Sequence, residues 1–335
     1  MNMNIEFRTV KKKDLKIIKK LFIKTYGIRI SSEFYNWRYY YKQKYSSFVG
    51  ILEGEIISHV GFCLYNSGFV KLLKKEYIAS RHSSFVLKKF RRYGIYTNIV
   101  KSAIRYLSKN YFISGSIIWP NGINILTHTK NYPKNIYNEY NIFKREINLH
   151  EKIDNRNLIN SKIIRSEKLK KKKLHNLLNS NKIHSLIKKD IQYFNWRYLS
   201  YKRKNYIYYL NENDKIYQSL IIMNLVIKNQ NIKLNILDYF SIYKDSINSD
   251  ISFLLSSIQN YFSNYRYKKL DIYYWSNIKD DHTIKLLKNL KFQQNKSKKY
   301  YIDFIGVDNK TSVSYSNKFA NIFKMGDTDV FFDYN

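Results

Sequence analysis

The chain has one cysteine, two prolines and ten glycines in 335 residues. The single thiol, Cys63, excludes an internal disulfide and any cysteine-rich zinc module; no metal is expected. So little proline and glycine excludes collagen-like, proline-rich and Gly/Ser-linker chains. No apolar run reaches the ~18–20 residues that a bilayer-spanning helix needs. Met1 to Arg8 lacks the apolar stretch of a signal peptide, so a cytoplasmic protein is expected. Acidic residues are scarce as well: 25 Asp+Glu face 60 Lys+Arg, a net charge of +35.

Aromatic side chains are abundant, with 33 Tyr and 20 Phe, and hydrophobic residues make up 44% of the chain. Spread along nearly the whole length, they argue against charge-driven disorder. The length admits one large domain or two ordinary ones. Lysine supplies most of the positive charge, and Asn, Ile and Tyr rise with it, the pattern that an AT-rich coding bias leaves. A polyanionic partner is the functional reading of this charge; compositional drift is the plain one. No basic block accompanies a nucleic-acid-binding motif that would favour the first.

The chain repeats itself. Phe34-Tyr35-Asn36-Trp37-Arg38-Tyr39 returns 159 residues later as Tyr193-Phe194-Asn195-Trp196-Arg197-Tyr198. At the same offset Leu15 and Ile18 fall on Leu174 and Leu177, and the turn Glu53-Gly54 falls on Glu212-Asn213. Each half opens with a Lys-rich amphipathic helix, continues into the Asn-Trp-Arg-Tyr segment and then a hairpin. The large aromatics of that segment are expected to anchor a helix on a sheet. Two domains follow, over residues 1–155 and 156–310, with a tail at 311–335. The tail's acidic Gly326–Asp333 either docks as a strand or frays.

The element order is α/β (α+β), a mixed and mostly antiparallel sheet flanked by helices in each domain. In the first half, strands are expected at Ile5–Val10, Phe48–Leu52, Ile56–Tyr65, Phe69–Ala79, Ser83–Leu87 and Tyr111–Trp119. Tyr140–Asn148 is expected as the last strand. Helices are expected from about Asp14, over Ile95–Leu107 and over Ile123–Thr129. The second half repeats the order and closes with Tyr300–Ile305. Cys63 sits in an alternating strand pattern and reads as a buried thiol.

The sharpest local signal is Phe85 to Tyr96. A strand runs into a basic turn, Arg91-Arg92-Tyr93-Gly94, and the turn opens the amphipathic helix at Ile95. The first N–H groups of a helix lack intrahelical acceptors, and the helix dipole favours negative charge there. Gly94 lets a backbone approach closely, and the arginines add charge. A pyrophosphate is the natural guest.

Arg91-Arg92-Tyr93-Gly94-Ile95-Tyr96 resembles the Arg/Gln-x-x-Gly-x-Gly/Ala acyl-CoA-binding motif of the GNAT acyltransferase superfamily. Trp119-Pro120-Asn121 before a short helix is similar to the region after that family's fifth strand. In detail the resemblance is to GNAT-like proteins of bacterial surface-polysaccharide clusters. It implies tandem GNAT-like domains and acetyl-CoA, or another acyl-CoA, as cosubstrate. The turn Arg91, Arg92, Tyr93, Gly94, Ile95 and Tyr96 would hold the pyrophosphate. Val86 and Leu87 would offer main-chain groups to the pantetheine arm, with Asn121 nearby. Tyr96 departs from the family's small residue. His128 stands where the family often has a Tyr as acid for the leaving thiolate, with Tyr132 and Tyr137 as spare candidates; Tyr132-Pro133 replaces the family's Gly-Phe. No base is marked by a motif; Glu76 and His82 are the candidates.

The second half has no such turn, so it is expected to bind no CoA and to wall a substrate cleft at the junction. The implied activity is acyl transfer to an amine, an amino sugar on a nucleotide or lipid carrier. Two alternatives remain: an aminoacyl-tRNA-dependent peptidyltransferase of the cell-wall cross-bridge type, which the charge would suit, and a non-catalytic polyanion binder. No oligomeric state is marked.

Overall fold

Alternating apolar side chains pair the first strands antiparallel: β1 (Glu6–Thr9) with β4 (Ser47–Leu52), β4 with β5 (Glu55–Asn66), and β5 with β6 (Tyr77–Val86). A small β2–β3 hairpin (Tyr40–Tyr41 and Lys44–Tyr45) precedes β4. Glu53 (φ 51°) and Gly54 (φ 80°) form the β4–β5 turn, the left-handed pair that matches the strands' twist. The computed structural model describes residues 4–27, 29–41, 44–67, 77–118, 138–149, 161–181, 187–200, 206–213, 215–228, 231–243, 246–263, 269–277 and 280–306. These form two compact units. One holds the residues before 138 and the chain's return from Ile302; the other holds Asn138–Tyr301.

In the first unit β6 leads through helix α3 (Ile95–Tyr111) to β7 (Ile113–Ile118), which lies parallel to it. Ile99, Ala103 and Leu107 recur every four residues on α3 and pack on Phe48, Val60, Phe62 and Ala79. Each large side chain so buried contributes roughly 1.5–3 kcal/mol. The other face of the sheet carries α1 (Leu15–Tyr26) and α2 (Ser32–Tyr39). There Phe22 meets His59 and Phe85 edge-on. Tyr39 lies over Gly61, where an added Cβ would come within 2.5 Å of its ring.

The second unit repeats this order. β9 (Ser161–Ile164), α4 (Lys171–Ser180), α5 (Ile191–Phe194), β10 (Tyr206–Glu212), β11 (Tyr217–Lys228), β12 (Asn231–Ser241), α6 (Ile247–Phe262) and β13 (Lys269–Asn277) follow in turn. β12 and β13 are its parallel pair. Ile251, Leu254, Ile258 and Phe262 of α6 pack with Ile221, Met223, Leu234 and Ile272. After β13 come α7 (Asp281–Asn289) and β14 (Gln293–Gly306). Each unit is thus a mixed, mostly antiparallel sheet flanked by helices, as the sequence led one to expect. No helix among the described residues is long and apolar enough to cross a membrane.

The closing strands differ from expectation. β8 (Asn138–Asn148) pairs antiparallel with β13 in the second unit and so does not close the sheet of its own half. In the first unit, Asp303–Gly306 of β14 pairs antiparallel with β7. Alternation marks a strand but not its neighbour. Strands expected at Phe69–Ala79 and Ser83–Leu87 are, over the described residues, one strand with a bulge. His82 pairs with Gly61 and Phe85 with His59, so Ser83 and Ser84 both oppose Val60. Ser83 takes a φ of 50°. The expected helix Ile123–Thr129 and the acidic tail lie outside the described residues.

The repeated Asn-Trp-Arg-Tyr segments are buried mainly through Tyr and Arg. Tyr35, Arg38 and Tyr39 are buried in one copy, Arg197 and Tyr198 in the other, while both tryptophans are only half-buried. Arg38 lies over the Phe34 and Tyr39 rings. Cys63 is buried, as expected, with its thiol toward the Arg38 carbonyl.

Candidate functional site

The basic turn follows β6 as the sequence indicates. Lys88–Phe90 make one 3-10 turn, Arg91 is extended, and Arg92 (φ 73°) and Gly94 (φ 71°) are left-handed. Gly94 supplies the backbone freedom that lets α3 start there. A Cβ at Gly94 would meet nothing within 4 Å, so the backbone angle, not space, requires the glycine. Arg91 Nε donates to the Val86 carbonyl at 3.0 Å and staples the turn to the end of the strand. Arg91, Arg92, Tyr93 and Gly94 are exposed, while Ile95 is buried against Ile57 and Val86.

Side chains cap α2 (Ser31), α5 (Asp190) and α7 (Asp280), whereas α1, α3, α4 and α6 start with no side-chain cap, α3 on Gly94. The first bond back to the turn is Asn98 N–H to the Gly94 carbonyl. The N–H groups of Ile95, Tyr96 and Thr97 therefore end the helix with its positive pole outward.

β6 and β7 pair at Tyr77–Ile113, Ile78–Gly115, Ala79–Ser116 and Ser80–Ile117. β6 continues six residues further, to Val86, without a β7 partner among the described residues. The Leu87 N–H is taken by the Ile57 carbonyl, so main-chain contacts to an extended ligand fall to the preceding residues.

The bulge in this stretch is held from behind. Ser83's carbonyl can only accept, so His59 Nδ1, 2.8 Å away, carries the proton. His59 Nε2 is then an acceptor and lies 2.8 Å from the Tyr35 hydroxyl, which is also 2.8 Å from Ser47 Oγ. Tyr39 donates to Ser83 Oγ at 2.8 Å, and the Tyr26 hydroxyl donates to the Ser84 carbonyl. Burial pushes the His59 imidazole down to about 4, against its one upward influence, the bond to Ser83. His59 is therefore neutral across the physiological range.

His82, one of the expected catalytic candidates, lies on β6 just past the last β6–β7 pair. It is buried, with Nε2 2.8 Å from Ser80 Oγ. Arg81, its neighbour, reaches the first turn of α3: its guanidinium lies 5.2 Å from the centre of the Tyr96 ring. Glu76, Asn121, His128, Tyr132 and Tyr137 lie outside the described residues. Sequence reasoning missed Arg81, His59 and Ser83. A histidine inside an apolar strand was the available sign for His59; nothing marked Arg81.

The equivalent position in the second unit is built differently. Asp250, fully buried in the first turns of α6, accepts from the Tyr239 hydroxyl at 2.6 Å and from Asn211 Nδ2 at 3.2 Å. Ser246 Oγ lies 2.7 Å from both the Tyr239 and Ser241 hydroxyls. This helix start carries a buried carboxylate tied to the sheet, not an arginine-bearing turn.

Surface grooves also occur in each unit, of about 570 Å³ and 890 Å³. Val10, Lys12, Asn36 and Tyr40 line the first; Leu169, Lys171, Asn195 and Leu199, their counterparts in the repeat, line the second. Their recurrence at matching positions follows from the shared architecture.

No protein-family model matches the chain, and no curated protein sequence matches it. Solved structures do. A conserved Enterococcus faecalis protein described as a probable N-acyltransferase superposes with a TM-score of 0.63 at 13% identity, over 92% of this chain and 74% of that one. A GCN5-related N-acetyltransferase from Anabaena variabilis gives 0.61 at 11% identity, over 89% and 72%. The Saccharomyces cerevisiae N-myristoyltransferase with bound myristoyl-CoA gives 0.57 at 12% identity, over 91% and 80%. The chain shares the fold of these proteins.

Proposed function

We propose that this chain is an acyl-CoA-dependent N-acyltransferase whose donor site lies in the first unit. The observation that carries the reading is the exposed arginine-bearing turn Arg91–Gly94 that opens α3 directly after β6, with Arg91 stapled to the end of the strand. A thioester donor has the matching shape: a pyrophosphate for the Arg91–Tyr96 turn, then an amide-rich arm along β6. Similarity in fold to acyl-CoA-using transferases supports the same reading. The residues present fit CoA. Bound there, it would supply an activated acyl group as a thioester.

The protein's part is to hold the donor in line with an amine, which by itself accounts for much of such catalysis. His82 is the described candidate for taking the amine's proton; His128 and Tyr132 are candidates for protonating the thiolate. The second unit binds no CoA, because the segment after its central strand, Tyr239 to Asn248, has no glycine and fewer positive charges than the Arg91–Tyr96 turn. The acceptor is an amino sugar on a phosphorylated carrier, as the resemblance to surface-polysaccharide proteins implies.

A thiol-release assay tests this. Acetyl-CoA with amino-sugar nucleotides should release free CoA in proportion to protein, and Gly94→Asp should abolish the release. Activity that requires aminoacyl-tRNA and is lost on RNase treatment would replace this reading with the peptidyltransferase one.

A further inference from the structure

We propose that the outer face of α1 docks on an anionic lipid surface, an inference that goes beyond the function proposed above. Helix α1 packs Leu15, Ile18 and Phe22 inward. On the opposite side Lys16, Lys20 and Lys24 follow one another at four-residue spacing, and each is exposed. Ile17 and Ile23 flank this stripe and are 48% and 45% exposed. At 3.6 residues per turn, the lysines and both isoleucines fall within about 120° of arc.

The stripe carries charge of one sign. From Phe7 to Ser32 the one acidic residue is Asp14. It is buried and already matched, accepting from Arg8 at 2.7 Å and from the Lys11 N–H at 2.7 Å. Lysines four residues apart on a helix repel one another, and a surface of lipid phosphates offsets that repulsion. The isoleucines favour lipid over nucleic acid. They can enter the boundary between headgroups and acyl chains, whereas binding to a phosphate backbone is driven by charge.

Lysine-rich composition does not by itself produce this face. At the repeat offset Lys16, Ile17 and Lys20 become His175, Asn176 and Asn179, all exposed on α4. Helix α3 exposes Lys101, Arg105 and Lys109 at the same spacing, but no isoleucine of that helix is exposed. Position adds a consequence. Tyr26, at the end of α1, donates to the Ser84 carbonyl. Docking through α1 would therefore bring the strand that leads into the Arg91–Gly94 turn near the lipid surface.

Sedimentation with vesicles tests this without acyl-CoA, so its outcome is separate from that of the donor site. Wild type should sediment with vesicles of phosphatidylglycerol and phosphatidylcholine in equal parts but not with phosphatidylcholine alone, and added salt should release it. Lys16→Gln, Lys20→Gln and Lys24→Gln together should weaken binding about a hundredfold. Ile17→Asn with Ile23→Asn should weaken it about tenfold. The charge-matched variant Lys101→Gln, Arg105→Gln, Lys109→Gln should bind nearly as wild type does. Every substituted position is exposed, so the melting transition should persist throughout. Wild type that ignores the anionic vesicles, or binds phosphatidylcholine alone as well, overturns the proposal. So does equal weakening by the two triple variants, which would mark net charge and not this face. Unchanged binding in the isoleucine variant also overturns it, in favour of a site for any polyanion, nucleic acid included.

Discussion

His59 shows how one buried side chain shapes the strand edge beside the turn. Its neutral ring joins the Ser83 carbonyl to the Tyr35 hydroxyl. Burial lowers its pKa to about 4 from an ordinary 6.5. Below pH 6.5 the unfolded chain takes up a proton that the folded chain refuses until about pH 4. Stability from this group is therefore complete above pH 6.5 and is lost as pH falls toward 4, by about 3 kcal/mol in all. Urea melts of wild type and His59→Asn should diverge in pH dependence across that window, with the variant flatter. Parallel curves would contradict the assignment.

Glycines give a second test at this scale. Gly61→Ala sets a methyl group against the Tyr39 ring and should cost about 1–3 kcal/mol of overpacking strain. Gly94→Ala meets open space but keeps a left-handed angle, and should cost about 1–2 kcal/mol. Chemical denaturation measures both. Only the Gly94 variant should weaken acetyl-CoA beyond its loss of stability.

At the scale of elements, the repeated Asn-Trp-Arg-Tyr segment is a tie between helix and strand. In the first unit Tyr39 donates to Ser83, inside the β6 bulge. In the second, Tyr198 donates to Asp238 Oδ2 at 2.6 Å, next to a bulge in β12 where Ile222 pairs with Asp238 and Met223 with Ile236. Lys189 completes that second tie, 2.6 Å from Asp238 Oδ1. A hydrogen bond to a buried charge outweighs one to a hydroxyl. Tyr198→Phe should therefore cost about 1.5–3 kcal/mol and Tyr39→Phe about 1 kcal/mol, read from denaturant midpoints. The reverse order would contradict this account of the ties.

These segments also show what sequence made legible. Their recurrence pointed to two units with the same order of elements, and strand–turn–helix order pointed to the arginine turn. Alternation could not show the bulge at Ser83, because one extra residue leaves the apolar pattern on either side intact. Nor could it show the place of His59, which arises only when β5, α2 and β6 come together. Fold class was thus readable; the side chains behind the turn were not.

For the whole molecule, the consequential feature is the exchange of closing strands. β8, from the first half of the chain, lies along β13 in the second unit, and the end of β14 lies along β7 in the first. Without its return strand, β7 would present an unpaired edge, a template for association. Residues 1–155 and 156–310 expressed separately should each be aggregation-prone and bind a hydrophobic dye. Produced together, they should yield a complex with the far-ultraviolet spectrum of the intact chain. Two independently folded, monomeric halves would contradict the exchange.

The donor site itself remains the central claim, and calorimetric titration of acetyl-CoA tests it most directly. Wild type should bind with micromolar affinity and one site per chain, since the second unit lacks a glycine-bearing arginine turn. The double variant Gly94→Asp, Arg91→Ala puts a carboxylate in the turn and removes a cation, and should show no heat of binding while its melting transition persists. No binding to wild type, or full binding to the double variant, would contradict a CoA site at the Arg91–Tyr96 turn.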